Sequence, residues 1–488
     1  MSERIKISIL MGAVFIAMMV FFANVHPIVL YDGDDWNNLS SMRKAFPIWH
    51  GFNPIKVLPE TLMPICGYIA AYLITPIIGD YVYAVTLTAA FVVSAFITAY
   101  VYCFYVFSKK VFKMDVFSAG LISFLFFMLH FLIFKSQDEN NVYMFFAPNM
   151  TCYFHYIIPA LLNSALALYL YNNKNLLSFD KENLIKKSLL FLGIYLAIFS
   201  NIYHSIILIS AIFFYLLEQK TKDMKLADLF LQNKAYVFFI GLWLVSLLFE
   251  ANGKRARQIG KSLSELPVGD AAANLIHLFA QMNKELIIFA VLSVVISFVL
   301  FKRTKIKSGI DDMYSRAARF LIVSGLVTTI YIILLTSKTG GGYTGRIDAV
   351  YGVFFYILLF VAVSICYILK KCPKTLLIMP ILVFILSVQT LFSERTFMES
   401  NVGNIAPYKC IAIDNYLISQ MKEADISGCS EMVLTVPKGD DNDNWPHPMY
   451  FGKNIAATMY RHGLISQNLD IEIKADRTVN EEFQLDIK

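Results

Sequence analysis

The strongest constraint on this chain is the recurrence of uninterrupted apolar runs about as long as an α-helix needs to cross a bilayer, roughly twenty residues. Such runs fall near 5–30, 82–107, 115–134, 156–172, 187–203, 204–219, 235–250, 278–301, 317–336, 347–369 and 374–392. They are continuous rather than alternating, which excludes a membrane β-barrel. Composition agrees: of 488 residues, 57% are hydrophobic and 16% charged, where a soluble domain carries about a quarter charged. The first run lacks a small-residue cleavage site and reads as a retained span, not a signal peptide. The expectation is an all-α polytopic membrane protein of about eleven transmembrane helices over residues 1–392. A small C-terminal α/β domain over 393–488 follows.

The loops between the runs alternate in character. One set is rich in Lys and Arg: Arg4 with Lys6, Lys109 with Lys110 and Lys113, then 174–187, 220–234, 302–319 and 370–374. The positive-inside rule places that set, and the N-terminus, in the cytoplasm. The segments 31–81, 135–155, 251–277 and 337–346 and the whole tail then lie on the opposite side. Residues 57–78, VLPETLMPICGYIAAYLITPII, are apolar enough to span. A span here would reverse every later loop and turn the lysines outward. The segment is therefore expected to lie along the outer face as a helix, with Gly79 and Asp80 turning into the next span. The tail is polar and acidic, with strand-like stretches MVLTV at 432–436 and DIEIKA at 470–475. Two of the seven cysteines, Cys410 and Cys429, fall in it. In an oxidising compartment such a pair is expected to form a disulfide.

The chemistry-bearing residues gather on the outer side. PIVLYDGDDW at 27–36 sets Asp32, Asp34 and Asp35, then Trp36, directly after the first span. A solvated turn bent at Gly33 and anchored by Trp36 explains them structurally. A carboxylate that takes a proton from an acceptor hydroxyl, or binds a cation, explains them functionally. Glu60 lies inside an apolar segment, where an ionisable residue is a functional candidate by default; the structural alternative is a side chain that reaches to the surface. Lys254, Arg255, Arg257 and Lys261 stand in EANGKRARQIGK, and Lys338 and Arg346 flank the glycines of SKTGGGYTGR. Both are basic clusters on the side where such clusters are disfavoured. Ordinary loop charge is the structural alternative; functionally, free backbone N–H groups and cations can clamp a phosphate, and a lipid-linked phosphate, not nucleic acid, is the natural candidate. Asn149, His155 and Tyr156 in NNVYMFFAPNMTCYFHY, and Asn201 and His204 in SNIYHS, set amide and imidazole groups beside aromatics. That combination suits a sugar, although a lone histidine is more often a packed interfacial residue. No pair has metal-ligand spacing, and neither a P-loop nor a dinucleotide glycine fingerprint occurs, so neither a metal nor a cofactor is expected.

This layout resembles the GT-C superfamily, membrane glycosyltransferases that use polyprenyl-phosphate sugars. The shared features are a first span, an outer acidic loop, a surface helix ended by a glycine turn, many further spans and an outward C-terminal domain. The run NPIKVLPETLMPICGYIAAYLITPIIGDYVYA at 53–84 looks like the segment in which a surface helix of that superfamily leads into the second span. In size and layout the chain is most similar to bacterial serotype-converting O-antigen glucosyltransferases. The resemblance implies inverting, metal-independent transfer of a hexose, glucose first, from undecaprenyl phosphate or a similar carrier to a lipid-linked surface polysaccharide. The reaction would occur on the periplasmic face of a bacterial inner membrane, with a donor synthase and a flippase as partners. It implies the base role for Asp34 or Asp35, a second acid at Glu60, and phosphate binding by Arg255, Arg257, Lys338 and Arg346. Two rivals stay open. An O-antigen repeat-unit polymerase would carry its large loop mid-chain. A transporter or flippase for lipid-linked sugars would show internal repeats and midplane charges.

Overall fold

The computed structural model describes residues 2–41, 54–134, 141–173, 184–221, 223–252, 266–304, 308–378, 397–439 and 448–485. In chain order its main helices are α1 (Glu3–Val25), α2 (Gly33–Ser40), α3 (Pro59–Ile78), α4 (Tyr81–Val111), α5 (Val116–Leu129), α6 (Met150–Asn172), α7 (Leu184–Ser200), α8 (Ile202–Gln219), α9 (Leu226–Gln232), α10 (Lys234–Ala251), α11 (Val268–Ala280), α12 (Lys284–Arg303), α13 (Gly309–Thr339), α14 (Ile347–Lys371), α15 (Pro407–Ile426), α16 (Pro448–Arg461) and α17 (Arg477–Glu482). Among the described residues, nine helices are long and apolar enough to cross a membrane: α1, α3, α4, α6, α8, α10, α12, α13 and α14. The chain is therefore a multi-pass membrane protein. Helix α14 is the axis of the bundle, with 89% of its apolar window buried against 17% for α1 and α12. What it carries at its start is thus held by neighbours on all sides.

Charge separates the two ends of the bundle. At the basic end, Lys109 pairs with Glu3, Lys370 Nζ donates to the Lys113 carbonyl at 2.6 Å, and Lys371 meets the buried Asp311 at 2.9 Å. Asp311 also closes the capping box that starts α13 at Ser308, which is why this helix runs 31 residues and outlasts the expected span at 317–336. The opposite end carries the acidic loop and is called the site end below.

The expected spans at 187–203 and 204–219 divide earlier than their hydropathy indicates. Asn201 caps α8 by accepting from the Tyr203 N–H at 2.7 Å, so the break lies at Asn201. The expected span at 278–301 starts at Lys284, after the separate apolar helix α11. Beyond the short turn Pro373–Leu377, most of the expected span at 374–392 lies outside the described residues.

Helix α3 has the length and composition of a span, yet both its ends belong to the site end. Just before it, the Lys56 N–H donates to the Phe199 carbonyl in the last turn of α7 at 2.6 Å. Just after it, Gly79 turns with φ +79° and Asp80 caps α4, whose Tyr83 hydroxyl meets Asn24 near the end of α1 at 3.2 Å. Both flanks of the helix are thus bonded to neighbours at the site end. Its closest approach to α2 is at Gly67, where a Cβ would overlap the Leu39 carbonyl oxygen and come within 2.9 Å of the His462 ring. Gly67→Ala is accordingly expected to force the two helices apart and to cost about 1–3 kcal/mol. The check is the thermal midpoint in detergent; an unchanged midpoint would contradict this packing.

The tail forms a small α/β unit. Strands β1 (Glu431–Pro437) and β2 (Asp470–Asp476) fall where the sequence alternation puts them and pair in parallel, with α16 between them in the chain, as a parallel pair requires. The unit docks on the acidic loop. Asn454 Nδ2 donates to the Gly33 carbonyl at 2.9 Å, Thr458 Oγ1 to the Trp36 carbonyl at 2.6 Å, and Arg461 Nη1 to Ser40 Oγ at 3.1 Å. The expected Cys410–Cys429 disulfide is not formed, and both thiols are free. Cys410 sits in the first turn of α15 and Cys429 beyond its last, which separates them by roughly 25 Å of helix. A disulfide needs Cα atoms within about 7 Å.

Candidate functional site

The acidic loop is built by its own capping chemistry. Asp32 is the N-cap of α2: its Oδ1 accepts from the Asp34 and Asp35 N–H groups at 2.9 and 3.1 Å. Asp35 completes the capping box, its Oδ2 accepting from the Asp32 N–H at 3.4 Å and from the Tyr31 N–H at 3.1 Å. The other oxygen of Asp35 accepts from the Thr151 N–H and hydroxyl, both at 2.7 Å. Asp35 is fully buried. Burial pushes its carboxyl well above the ordinary carboxylate range and the charge of Asp32 adds to this, while the Thr151 donors pull the other way. Asp32 is also raised, by burial, and its Oδ2 accepts from Asn149 Nδ2 at 2.6 Å. Asp34 differs from both. It is exposed, and its carboxylate has no hydrogen-bond or ion-pair partner among the described residues.

Thr151 is followed by Cys152, and this pair of residues joins the acidic loop to the second half of the site. Arg346 Nη2 lies 3.4 Å from Cys152 Sγ. Arg346 is the residue before α14, and it grips Asp348 in the first turn of that helix with two contacts, Nε to Oδ1 at 3.1 Å and Nη2 to Oδ2 at 2.5 Å. Its guanidinium lies over the rings of Tyr156 at 5.0 Å and Tyr343 at 5.3 Å. Tyr203 stacks on Tyr343 at 5.6 Å and is fixed by Thr339 through its hydroxyl at 2.5 Å. The Asp348 carboxylate and the hydrogen bonds to it raise the Arg346 pKa against the opposing effect of burial, so the cation is permanent. Nη1 makes no hydrogen bond among the described residues and is available to an anion. The site end thus presents an exposed carboxylate, a caged arginine with spare donors, and aromatic faces.

The other candidates divide. Asn149 is spent on Asp32 and on capping the Cys152 N–H at 2.8 Å. His155 lies in a π-turn, Tyr153–Ile157, of the kind often found at functional sites; its Nε2 is buried with no hydrogen bond among the described residues. His204 is fully buried, edge-on to Tyr156 at 6.0 Å. It packs against Tyr156 and Tyr351, and neither of its ring nitrogens is hydrogen-bonded among the described residues. Glu60 stands in the first turn of α3, where a carboxylate complements the helix dipole. Lys338 lies in the last turn of α13, at the same end as Arg346. The glycines between them form a 3-10 turn, Gly341–Gly345, in which the Tyr343 and Arg346 N–H groups bond within the turn itself at 3.1 and 3.2 Å, so those two donors are not free for a phosphate. Lys254, Arg255 and Arg257 lie outside the described residues. Sequence reasoning missed Thr151, Cys152, Tyr203, Tyr343 and Asp348. Of these, Asp348 was findable as a charge at the start of the apolar run IDAVYGVFF.

Beneath the loop, Asp414 of α15 is fully buried, and neither carboxylate oxygen is hydrogen-bonded among the described residues. Burial, then the charge of Asp35, pushes its carboxyl well above the ordinary range. The folded chain therefore keeps a proton that the unfolded chain releases above about pH 4. Because the folded state binds more protons, stability falls as pH rises from there toward the raised value. Asp414→Asn is expected to match wild type in thermal midpoint at pH 4 and to exceed it increasingly up to pH 8. An offset that does not change with pH would contradict the assignment.

Among the described residues, no group of three or more His, Cys, Asp or Glu side chains is arranged to hold a metal ion. No protein-family model matches the chain, and no curated protein or solved structure is significantly similar to it.

Proposed function

We propose that this protein is a membrane glycosyltransferase that moves a hexose, glucose first, from a polyprenyl-phosphate carrier to a lipid-linked polysaccharide. The observation that carries this reading is the meeting of the exposed Asp34 loop and the caged Arg346 at one end of the bundle, joined through Thr151 and Cys152. A lipid-borne donor and a lipid-borne acceptor both present their reacting groups at such a helix end. Asp34 takes the proton of the acceptor hydroxyl. The acceptor oxygen forms its bond to the anomeric carbon from the face opposite the phosphate, and the anomeric C–O bond breaks with its electron pair leaving on the carrier phosphate. Arg346 Nη1 and Lys338 meet the charge that develops there. Tyr156 and Tyr343, whose rings carry the guanidinium, border the place the sugar ring takes. On this reading the site end, opposite the lysine-rich loops, faces the periplasm of a bacterial inner membrane, where a flippase delivers carriers that a donor synthase has loaded. The buried and fully bonded Asp35 favours Asp34 as the base.

The test is donor choice by purified protein in vesicles. Radiolabelled sugar is expected to move from polyprenyl-phosphate glucose and not from a nucleotide sugar. Tight binding of the lipid donor with no transfer to any lipid-linked acceptor would replace this reading with transport.

A further inference from the structure

At the basic end, far from the acidic loop, a cleft of about 760 Å³ opens where the start of α1, the end of α4, the end of α6 and the start of α7 come together. Its rim carries Glu3, Arg4, Lys109, Lys110 and Lys186, four cations against one carboxylate. Lys109 is taken by Glu3 and Lys110 Nζ donates to Asn173 at 3.1 Å. Arg4 and Lys186 are exposed and have no counter-ion among the described residues. A turn deeper the lining changes to Ile7, Tyr102, Val106 and Tyr169, on spans whose outer faces are apolar. Among the described residues two polar groups in this lining are orphaned: the Tyr105 hydroxyl, on a residue 4% exposed, and both amide atoms of Asn172 make no hydrogen bond. Buried polar atoms without partners cost free energy and point to a missing ligand or water.

We infer that this cleft binds one anionic phospholipid. Its phosphate meets Arg4, Lys110 and Lys186, its glycerol and ester oxygens meet the Tyr105 hydroxyl and the Asn172 amide, and an acyl chain lies against the apolar wall. The cleft brings together cationic side chains, polar groups without partners and an apolar wall, the three kinds of surface that suit the headgroup, glycerol region and tail of a phospholipid, and basic pockets between spans are a known form of headgroup recognition. The inference is independent of the reaction proposed at the site end.

The test is native mass spectrometry of the full chain in mild detergent, titrated with phosphatidylglycerol, phosphatidylcholine or inorganic phosphate. One phosphatidylglycerol is expected to bind at least about tenfold more tightly than phosphatidylcholine. The double variant Arg4→Gln, Lys186→Gln removes two exposed charges and is expected to weaken phosphatidylglycerol by roughly thirtyfold and leave phosphatidylcholine unchanged. Tyr105→Phe, which keeps the packing, is expected to weaken phosphatidylglycerol by about threefold to tenfold. Equal binding of the two lipids, unchanged binding in the charge variant, or full displacement by millimolar inorganic phosphate would each overturn the proposal.

Discussion

Arg346→Ala is expected to lower sugar transfer about a hundredfold to a thousandfold and to destabilise the protein by about 3 kcal/mol. The two effects have different origins. Asp348 is nearly inaccessible, its side chain 3% exposed, while Arg346 is one-third exposed at 34%. Removing the arginine leaves a buried carboxylate without its cation, and the partial exposure of the pair places the cost at the lower end of the range for broken buried pairs. The loss of transfer comes from the Nη1 donors, which Asp348 does not use. The double variant Arg346→Ala, Asp348→Ala separates the two roles: it is expected to recover much of the thermal midpoint and none of the activity. Arg346→Lys keeps the charge but not the fork, and it is expected to fall between wild type and alanine in both measurements. Recovery of transfer in the double variant would show that Arg346 is structural only.

Asp34 and Asp35 are expected to fail in opposite ways. Asp34→Asn should reduce transfer about a hundredfold to ten-thousandfold with a thermal midpoint close to wild type, because the exposed Asp34 carboxylate has no hydrogen-bond or ion-pair partner among the described residues. Asp35→Ala should do the reverse. It strands the Thr151 hydroxyl and the N–H groups of Tyr31, Asp32 and Thr151 in a buried place, at a cost of about 3 kcal/mol or more. Whatever protein remains folded should lose little intrinsic activity. The comparison is made on folded protein, with transfer rates normalised to the fraction that elutes as a single species in detergent. Full activity in Asp34→Asn alongside inactive, well-folded Asp35→Asn would transfer the base role to Asp35.

Much of the scaffold was legible in the sequence because a bilayer imposes a length. Apolar runs placed most of the helices, the one over 59–78 among them. Two β-segments of the tail were readable from alternation. The disulfide between Cys410 and Cys429 was misjudged because cysteine spacing says nothing of the straight helix between them. The site itself was half visible. Clustered aspartates after a span and an arginine after a glycine run are local patterns, and both lie at the site end. That Thr151 and Cys152 join them is a fact of packing between α2, α6 and α14, which no local pattern encodes. The division of labour within the cluster was equally hidden, because Asp34 and Asp35 are adjacent in sequence and differ only in which one points into the protein.

Proton transfer to Asp34 is the step on which the proposed reaction depends most. Wild-type protein and Asp34→Asn, reconstituted in vesicles at matched folded amounts, would be given radiolabelled polyprenyl-phosphate glucose and a lipid-linked polysaccharide. The account predicts labelled polysaccharide with inverted anomeric configuration from wild type and at least a hundredfold less from Asp34→Asn. Equal transfer by both proteins would contradict it, and would reduce the clustered acids of this loop to a cap and a solvated turn.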